Sequence, residues 1–415
     1  MILIVSLALK MNLLGFPWRY INEGNVHIVL ELTGTEYVVR IIKEDDKPVD
    51  GGCIKEHVDF VNVVMTPLLS SSAEKQELVE IPREQLHELS QGFQQLRPAH
   101  RRHKTRFSMY AIKTLNLLTL NPKCKSNYCI EIKPKEGFMS PAFKETGKCY
   151  FCLKQFLKLE ENVIENVSGY CPLDLFSGDR SRMKRAVLSL IENPQNNFKL
   201  FKDGVLVYNE KSSEKDLQDL LVELPVFNKS IGTFVDFIIE MLMSKGSSNT
   251  VLKTPVECYI NEKSSKCIED SNNLDSETFI NRLLNLQRIS LLSTLGIPKP
   301  DNFSYVSKMK QAVEKQNLDL TTQTHREMFF KSCEPSELAI LSAILKDCSI
   351  MMCFYPNYVG DVPHILIGTK KVSYRISVTD LEPKPLSTLW KREKTEKKLL
   401  DIYKDRVLGN QEISQ

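Results

Sequence analysis

Tyr128-Cys-Ile-Glu-Ile132 reads as a short strand that runs straight into Lys133-Pro134-Lys135. Proline has no N–H to offer a neighbouring strand, so regular pairing must stop at Pro134. Side chains alternate along an extended chain, so Lys133 and Lys135 leave the strand end on the same side and converge on one anion. A strand forced to end between two cations is the tightest constraint in the sequence. The segment alone is equally compatible with an ordinary pair of surface lysines.

The surrounding pattern places this strand in a mixed protein. Residues 18–43 read as two strands with a turn: Val26, Ile28 and Leu30 alternate, Thr33-Gly34 turns the chain, and Tyr37 to Ile42 is β-branched and alternating. Ile54, Val58, Val61 and Met65 recur at helical spacing, and Ser70-Ser71-Ser72 marks a loop. Further helices are expected at 182–191, 234–243, 279–292, 337–346 and 390–406, with strands at 348–354 and 372–378. Residues 246–277 are rich in Ser, Asn, Lys and Asp, bury little, and are expected to form a mobile insertion. A small β-rich part thus precedes a larger mixed one, and two lobes around a cleft is the natural architecture.

Charge decides how an anion is to be held. Lys plus Arg number 55 against 52 for Asp plus Glu, a net charge of +3. The average field is too weak for a polyanion, so the cations must be gathered locally. Arg97-Pro-Ala-His-Arg101-Arg102-His-Lys104 and Lys158 are further candidates, with few of the aromatics that a nucleic-acid groove interleaves. The 415 residues, 42% hydrophobic and 26% charged, suit a soluble chain of one large two-lobed domain or two ordinary ones. Eleven scattered cysteines point to reduced thiols in the cytoplasm or nucleus. The apolar opening from Met1 to Leu9 is cut short by Lys10 and lacks a basic flank and a cleavage site. It reads as an alternative start ahead of Met11, and no segment has a membrane-spanning apolar run.

Other residues carry chemistry less specifically. Glu23-Gly24-Asn25 lies between strands, where a glycine turn lets backbone N–H groups approach phosphate, or is simply a turn. Arg40, in the apolar run 38–42, either neutralises phosphate or snorkels to water from an edge strand. Asp347 stands between a helix and an apolar strand, which is costly unless the carboxylate is paired or used; a cap or an ion pair with Lys346 is the other reading. Asp380 ends a strand, a good place for a hard-cation ligand and also for a turn former. Cys149 and Cys152 form a CxxC, but the nearby Cys124 and Cys129 are poorly spaced for zinc.

Four segments together resemble the inositol-pentakisphosphate 2-kinase family: Glu131-Ile-Lys-Pro-Lys-Glu-Gly-Phe138, Tyr170-Cys-Pro-Leu-Asp-Leu-Phe-Ser-Gly178, Pro194-Gln-Asn-Asn-Phe198 and Lys346-Asp-Cys-Ser-Ile-Met351. They occur in the family's order, and the match runs from about Trp18 to Tyr403. The resemblance implies an α+β, bilobal protein-kinase-like fold with a small β-rich N-lobe and a larger mixed C-lobe. Residues 1–17 would be a poorly ordered extension, 18–120 the nucleotide-binding N-lobe, and 121–410 the C-lobe. It implies ATP and Mg²⁺ as cofactors and inositol pentakisphosphate as substrate, which becomes inositol hexakisphosphate. No membrane or nucleic acid is required, and the chain is expected to be a monomer of the cytoplasm, the nucleus or both.

The resemblance also assigns residues. Glu23, Gly24 and Asn25 take the place of the glycine-rich loop, Arg40 that of the nucleotide-phosphate cation, and Glu131 falls with the nucleotide residues. Arg101, Lys133, Lys135, Lys158, Asn196 and Lys384 would contact substrate phosphates. Asp347 would orient the 2-hydroxyl and accept its proton, and Asp380 would bind Mg²⁺. The loop lacks the usual second glycine, and Thr388 and Arg392 stand where some members offer arginine and tyrosine contacts. Plant members build a zinc site from a CxxC and two histidines; residues 325–333 lack that pattern, so no zinc is expected. Five phosphates carry roughly −7 to −10, at about −1.5 to −2 each, which calls for cations drawn from several segments. Phosphoryl transfer itself is mainly positioning and charge neutralisation. An inositol polyphosphate kinase acting at another hydroxyl, or a non-catalytic polyphosphate- or RNA-binding module, are the competing readings; a pure binder has no use for Asp347 and Asp380 among cations.

Overall fold

The computed structural model of the chain describes residues 8–44, 48–69, 75–245, 250–252, 267–269, 274–292, 303–360 and 362–412. The expected loop at Ser70–Ser72 lies outside the described residues, as does most of the expected insertion at 246–277. Two compact units are present. One comprises Met1–Asn127, Asp203–Val205 and Ser304–Ser332; the other comprises Tyr128–Lys202, Leu206–Phe303 and Cys333–Gln415. The N-terminal unit therefore runs past residue 120 and takes in a helical segment from far along the chain, which no local pattern announces.

The first unit is built on a six-stranded sheet: β1 (Leu9–Lys10), β2 (Trp18–Glu23), β3 (His27–Leu32), β4 (Tyr37–Glu44), β5 (Glu77–Glu80) and β6 (Arg106–Leu115), in the order β1-β5-β6-β4-β3-β2. Residues 18–43 thus hold three strands rather than two, because Glu23 to Val26 turns the chain as well as Thr33-Gly34. The alternation is real: Ile28, Leu30 and Leu32 face inward, where Leu86, Leu89 and Phe93 of the helix Arg83–Gln94 cover them. Ile42, Leu78 and Ile112 line the other face, under Ile54 and Val58 of the helix Gly51–Phe60. Asp50 caps that helix by accepting from the Cys53 N–H at 3.0 Å. Leu9–Lys10 pairs with β5 and Leu13 is fully buried, so the described residues before Trp18, from Ala8 on, pack with this core. The helix Ser304–Lys315 joins through Tyr305, edge-on to Phe60 at 5.8 Å, and through Lys310, paired with Asp59 at 3.1 Å.

The second unit holds, but for Val205, a seven-stranded sheet of β7 (Tyr128–Ile132), β8 (Phe198–Lys202), β9 (Val205–Tyr208), β10 (Thr250–Val251), β11 (Ser349–Tyr355), β12 (His364–Ile367) and β13 (Lys370–Thr379), ordered β10-β12-β13-β11-β7-β8-β9. β11 is buried along almost its whole length, as an interior strand of apolar residues must be. Its Phe354 meets Phe237 at 5.2 Å from the helix Ile231–Leu242. The helices expected around 182–191, 234–243, 279–292 and 337–346 are all present with ends shifted by a few residues. Both units mix helix and strand, so the fold is α+β.

Two of the quoted segments lock together at the end of β7. The Tyr170 hydroxyl, fully buried, donates to the Pro134 carbonyl at 2.7 Å. A Cβ at Gly137 would stand 2.4 Å from the Phe176 ring, so the chain passes Phe176 only because residue 137 has no side chain. Gly137→Ala is therefore expected to lower the unfolding free energy by about 1–3 kcal/mol through overpacking. Gly24→Ala meets nothing within 4 Å and needs no left-handed backbone, so it should stay within about 0.5 kcal/mol of the parent. Urea denaturation of the two variants checks both.

Candidate functional site

The rim where β7, β11 and β13 end carries a connected set of charges. Antiparallel pairing sets Glu131 opposite Lys199 on one side and Met351 on the other, two residues from Ser349. Lys199 reaches a Glu131 carboxylate oxygen at 3.2 Å, and the Ser349 hydroxyl lies 3.2 Å from the other oxygen. The same hydroxyl lies 2.8 Å from Asp380 Oδ2, which also accepts from Lys133 Nζ at 2.8 Å. Burial acts to lower the Lys133 pKa, but Asp380 prevails and raises it, keeping the ammonium charged.

Asp347 sits beside this ladder between two cations. Lys135 Nζ is 3.1 Å from Oδ1 and Lys384 Nζ 2.7 Å from Oδ2. Partial burial pushes this carboxyl up, yet Lys135 and Lys384 outweigh it and hold it well below the usual carboxylate range. More than half of the Asp347 side chain remains exposed, at 56%, so an incoming hydroxyl has access to it. Lys346 does not pair with Asp347. It turns instead to Glu136 at 3.1 Å, and Arg392 completes that buried cluster on Glu136 and Glu396. Arg392 is thereby committed to structure, and the Lys346–Asp347 ion pair is absent.

The backbone here is unusual. Lys135, Asp380 and Gln195 adopt left-handed φ values of +60°, +64° and +45°. For lysine and glutamine such a conformation is uncommon and persists where surroundings over-determine it. Gln287 does much of that work: fully buried, its amide donates to the carbonyls of Lys135 (2.9 Å) and Leu345 (3.1 Å) and accepts from the Gly137 N–H (2.9 Å). Pro134 therefore ends the strand as expected, but the positive φ at Lys135, not simple alternation, aims its ammonium at Asp347.

A second group of cations lies on the helix Tyr150–Glu160. Lys154 and Lys158, one turn apart, share a face. Burial depresses both pKa values; Lys135 adds to the effect on Lys154, and Lys154 and Lys135 add to it on Lys158. The three ammonium groups thus disfavour one another's charged form, in addition to the effect of burial. Asn196 is exposed in the turn next to Asn197, whose carbonyl accepts from the Lys133 N–H at 2.9 Å. The second unit therefore brings together Glu131, Lys133, Lys135, Asp347, Asp380 and Lys384, with Lys158 electrostatically linked to Lys135. The residues that sequence did not single out are Lys154, Lys199, Ser349 and Gln287. The four-residue spacing of Lys154 and Lys158 was the one signal available.

The remaining candidates belong to the first unit. Glu23 is fully buried, salt-bridged to Lys43 and held by Arg97 at 3.0 Å. Burial raises its pKa, but hydrogen bonds from Arg97 and Lys43 prevail and lower it. Its carboxylate is thus an anchor for the turn rather than a nucleotide contact. Lys43 Nζ also donates to the Gly24 carbonyl at 2.7 Å, and Arg101 donates to the Glu23 carbonyl, so Arg101 braces this turn. Arg97 is buried and spends its other donors on the carbonyls of Arg101 and Lys104 and on Gln94 Oε1. Asn25 is exposed at the tip. Arg40 lies on β4, an interior strand flanked by β6 and β3, so the edge-strand account of it fails; its guanidinium is 3.4 Å from His27 Nδ1.

The CxxC also has different neighbours from those expected. Cys124 and Cys129 are not members of its cluster. Cys149, Cys152, Cys171 and Cys267 come together, with all four Sγ atoms within 4.8 Å of one another. The spacing of Cys124 and Cys129 therefore does not bear on this CxxC, whose partners Cys171 and Cys267 are brought in by tertiary structure.

Carboxylates embedded in a lysine-rich rim are the distinguishing chemistry of the second unit. The chain belongs to the inositol-pentakisphosphate 2-kinase family, whose model matches residues 20–398. It is 28% identical to the inositol-pentakisphosphate 2-kinase of Danio rerio, over 93% of this chain and 92% of that protein. The Arabidopsis thaliana inositol-pentakisphosphate 2-kinase is likewise 28% identical, over 66% of this chain and 59% of that protein. The Drosophila melanogaster protein of the same name is 31% identical over 22% of this chain and 20% of that protein.

Gln287→Leu tests the support beneath Lys135. Its loss strands two carbonyls and an N–H inside the unit, at about 1–3 kcal/mol for each group left unsatisfied. The unfolding free energy in urea should fall by at least about 2 kcal/mol, far more than an isosteric change at an exposed glutamine.

Proposed function

We propose that this chain transfers the γ-phosphoryl group of ATP to the 2-hydroxyl of inositol 1,3,4,5,6-pentakisphosphate, giving inositol hexakisphosphate and ADP. Family membership supports the reaction class, and the placement of Asp347 between Lys135 and Lys384 is the observation that carries the mechanism. The finer architecture belongs to the same proposal: a bilobal protein-kinase-like enzyme, its first unit serving as the small nucleotide lobe and its second as the larger substrate lobe. Gly24, Asn25 and Arg40 would serve ATP. Lys133, Lys135, Lys154, Lys158, Asn196 and Lys384 would hold the substrate, and Arg101 and Glu131 would act by bracing these groups. A reducing compartment, cytoplasm or nucleus, and a monomeric state complete the reading; the cysteines among the described residues form no disulfide.

Asp347 is ionised before substrate arrives and accepts a hydrogen bond from the 2-hydroxyl. As substrate phosphates take up the Lys135 and Lys384 ammonium groups, the influence that holds its proton affinity down is relieved. The hydroxyl oxygen forms the new P–O bond, the bond from the γ-phosphorus to the β-bridging oxygen breaks, and the hydroxyl proton passes to Asp347. Mg²⁺ would neutralise charge on the transferring phosphates. Asp380 suits that ion: it is half-exposed, and among the described residues its protein hydrogen bonds fall on Oδ2, leaving Oδ1 toward a hard cation. A binding module would have neither need, which disfavours a purely polyphosphate- or RNA-binding role.

Asp347→Asn should slow single-turnover phosphoryl transfer by roughly 10²–10⁴-fold, the usual contribution of a positioned acid–base group. Inositol pentakisphosphate binding should hold or tighten as a negative charge leaves. Wild-type-like turnover in this variant would remove Asp347 from the role.

Binding should also take up protons in alkaline buffer. In the free protein Lys154 and Lys158 have lowered pKa values. Substrate phosphates favour the ammonium form and raise them again, so between the two values the complex holds more protons than the free partners. Affinity must therefore fall as pH rises through that window. Calorimetry in buffers of different ionisation enthalpy measures the uptake, which Lys154→Met should reduce.

A further inference from the structure

Given the function proposed above, we infer that Glu136 is a positioning residue for phosphoryl transfer. By gripping Lys346 and Arg392 behind the site, it keeps Asp347 in place once substrate phosphates have drawn Lys135 and Lys384 away from it.

Two ion pairs run side by side here with their charges exchanged. In front, Lys135 Nζ reaches Asp347 Oδ1 at 3.1 Å. One residue away on each segment, Glu136 Oε1 meets Lys346 Nζ at 3.1 Å. With Lys135 at a φ of +60°, the chain turns between the two residues, so Lys135 points out to Asp347 while Glu136 is buried. Access separates the pairs. The Asp347 side chain is 56% exposed and those of Lys135 and Lys384 are 25% exposed, against 4% for Glu136 and 11% for Lys346. A polyanion can reach the first pair and not the second. Lys346 Nζ also lies 4.8 Å from the centroid of the Phe138 ring, and burial lowers its pKa with Glu136 opposing.

The same carboxylate reaches a third segment. Glu136 Oε2 accepts from Arg392, on the helix Ser387–Glu412, which begins three residues after Lys384. The Arg392 guanidinium sits 4.2 Å over the Tyr150 ring, at the head of the helix that bears Lys154 and Lys158. The segments that supply Lys135, Asp347 and Lys384 are therefore all fastened to one buried acid. Gln287 ties the first two through the carbonyls of Lys135 and Leu345; Glu136 adds a charged tie beside Asp347 and extends it to the segment of Lys384.

The front charges create the need for such a tie. Lys135 and Lys384 hold Asp347 in the free protein, and substrate phosphates compete for the same ammonium groups. A half-exposed carboxylate released from both would swing, and a displacement of about 1 Å can cost about 10²-fold in rate. Net stability is a poor reason for the buried cluster, because replacing buried ions by apolar groups is often neutral or stabilising. Fixed geometry at Asp347 is the better one.

Lys346→Met removes the cation and leaves Glu136 paired with Arg392. Single-turnover phosphoryl transfer at saturating substrate should slow by roughly 10–10²-fold, with the calorimetric affinity for inositol pentakisphosphate little changed. Lys346→Arg, which still reaches Glu136, should recover most of the rate. A lysine that merely stabilises the fold would show its loss in melting temperature and not in this split between rate and binding. A double-mutant cycle with Asp347→Asn decides the matter. If Lys346 acts through Asp347, Lys346→Met loses most of its effect once the carboxylate is gone, the coupling that residues acting together must show. Should Lys346→Met fail to fold, Glu136→Asp takes its place in the same cycle, since it keeps every charge and only shortens the reach. An equal fold-loss in both backgrounds, or a parent-like rate in the folded variant, would overturn the inference and leave Asp347 as the base. A parent that transfers no phosphoryl group fails at the proposed function itself and takes this inference with it.

Discussion

The Asp347 carboxylate, held between the ammonium groups of Lys135 and Lys384, is the interaction on which the rest of the second unit depends. It requires a lysine side chain to leave a strand end in a direction that ordinary extended backbone does not give. The left-handed turn at Lys135 supplies that direction. Its conformational cost, of order 1–3 kcal/mol, must be offset by surroundings. Gln287 from one helix, Tyr170 from one loop and the bare face of Gly137 against Phe176 are those surroundings. Segments far apart in the chain are thus fixed to one another by the need to present a single charged group correctly.

The first unit uses charge in the opposite way. The side chains of Glu23, Lys43 and Arg97 are almost completely buried, and their hydrogen bonds end on one another, on Gln94 Oε1 and on the carbonyls of Gly24, Arg101 and Lys104. Removing charges from water is expensive, and replacing such a cluster by apolar groups is often neutral for stability. What the ions provide here is a defined turn at Gly24, with its polar backbone groups oriented. Buried charge specifies shape in one unit, and half-exposed charge remains available for ligand in the other.

Legibility in the sequence followed the range of the physical signal. Short-period patterns carried well: the strand Tyr128–Ile132 ends where Pro134 demands, and Ile54, Val58, Val61 and Met65 form one buried helical face. Asp347 stood out because an acid entering an apolar strand must be paired, but its partners lie on Lys135 and Lys384, not on adjacent Lys346. Long-range information did not carry. Nothing local shows that residues 304–332 join the first unit, that Cys267 meets Cys149, or that Glu23 and Arg97, from a turn and a basic run, are buried against each other. Charged residues are assumed exposed until tertiary structure says otherwise, and that assumption misplaced Arg97 and Glu23 alike.

The most direct measurement is the identity of the product. Incubation of the chain with ATP, Mg²⁺ and inositol 1,3,4,5,6-pentakisphosphate, followed by phosphorus NMR, should show one new phosphomonoester at position 2 formed in equal amount with ADP. No transfer to that isomer, or preferential phosphorylation of an isomer already carrying phosphate at position 2, would contradict the account.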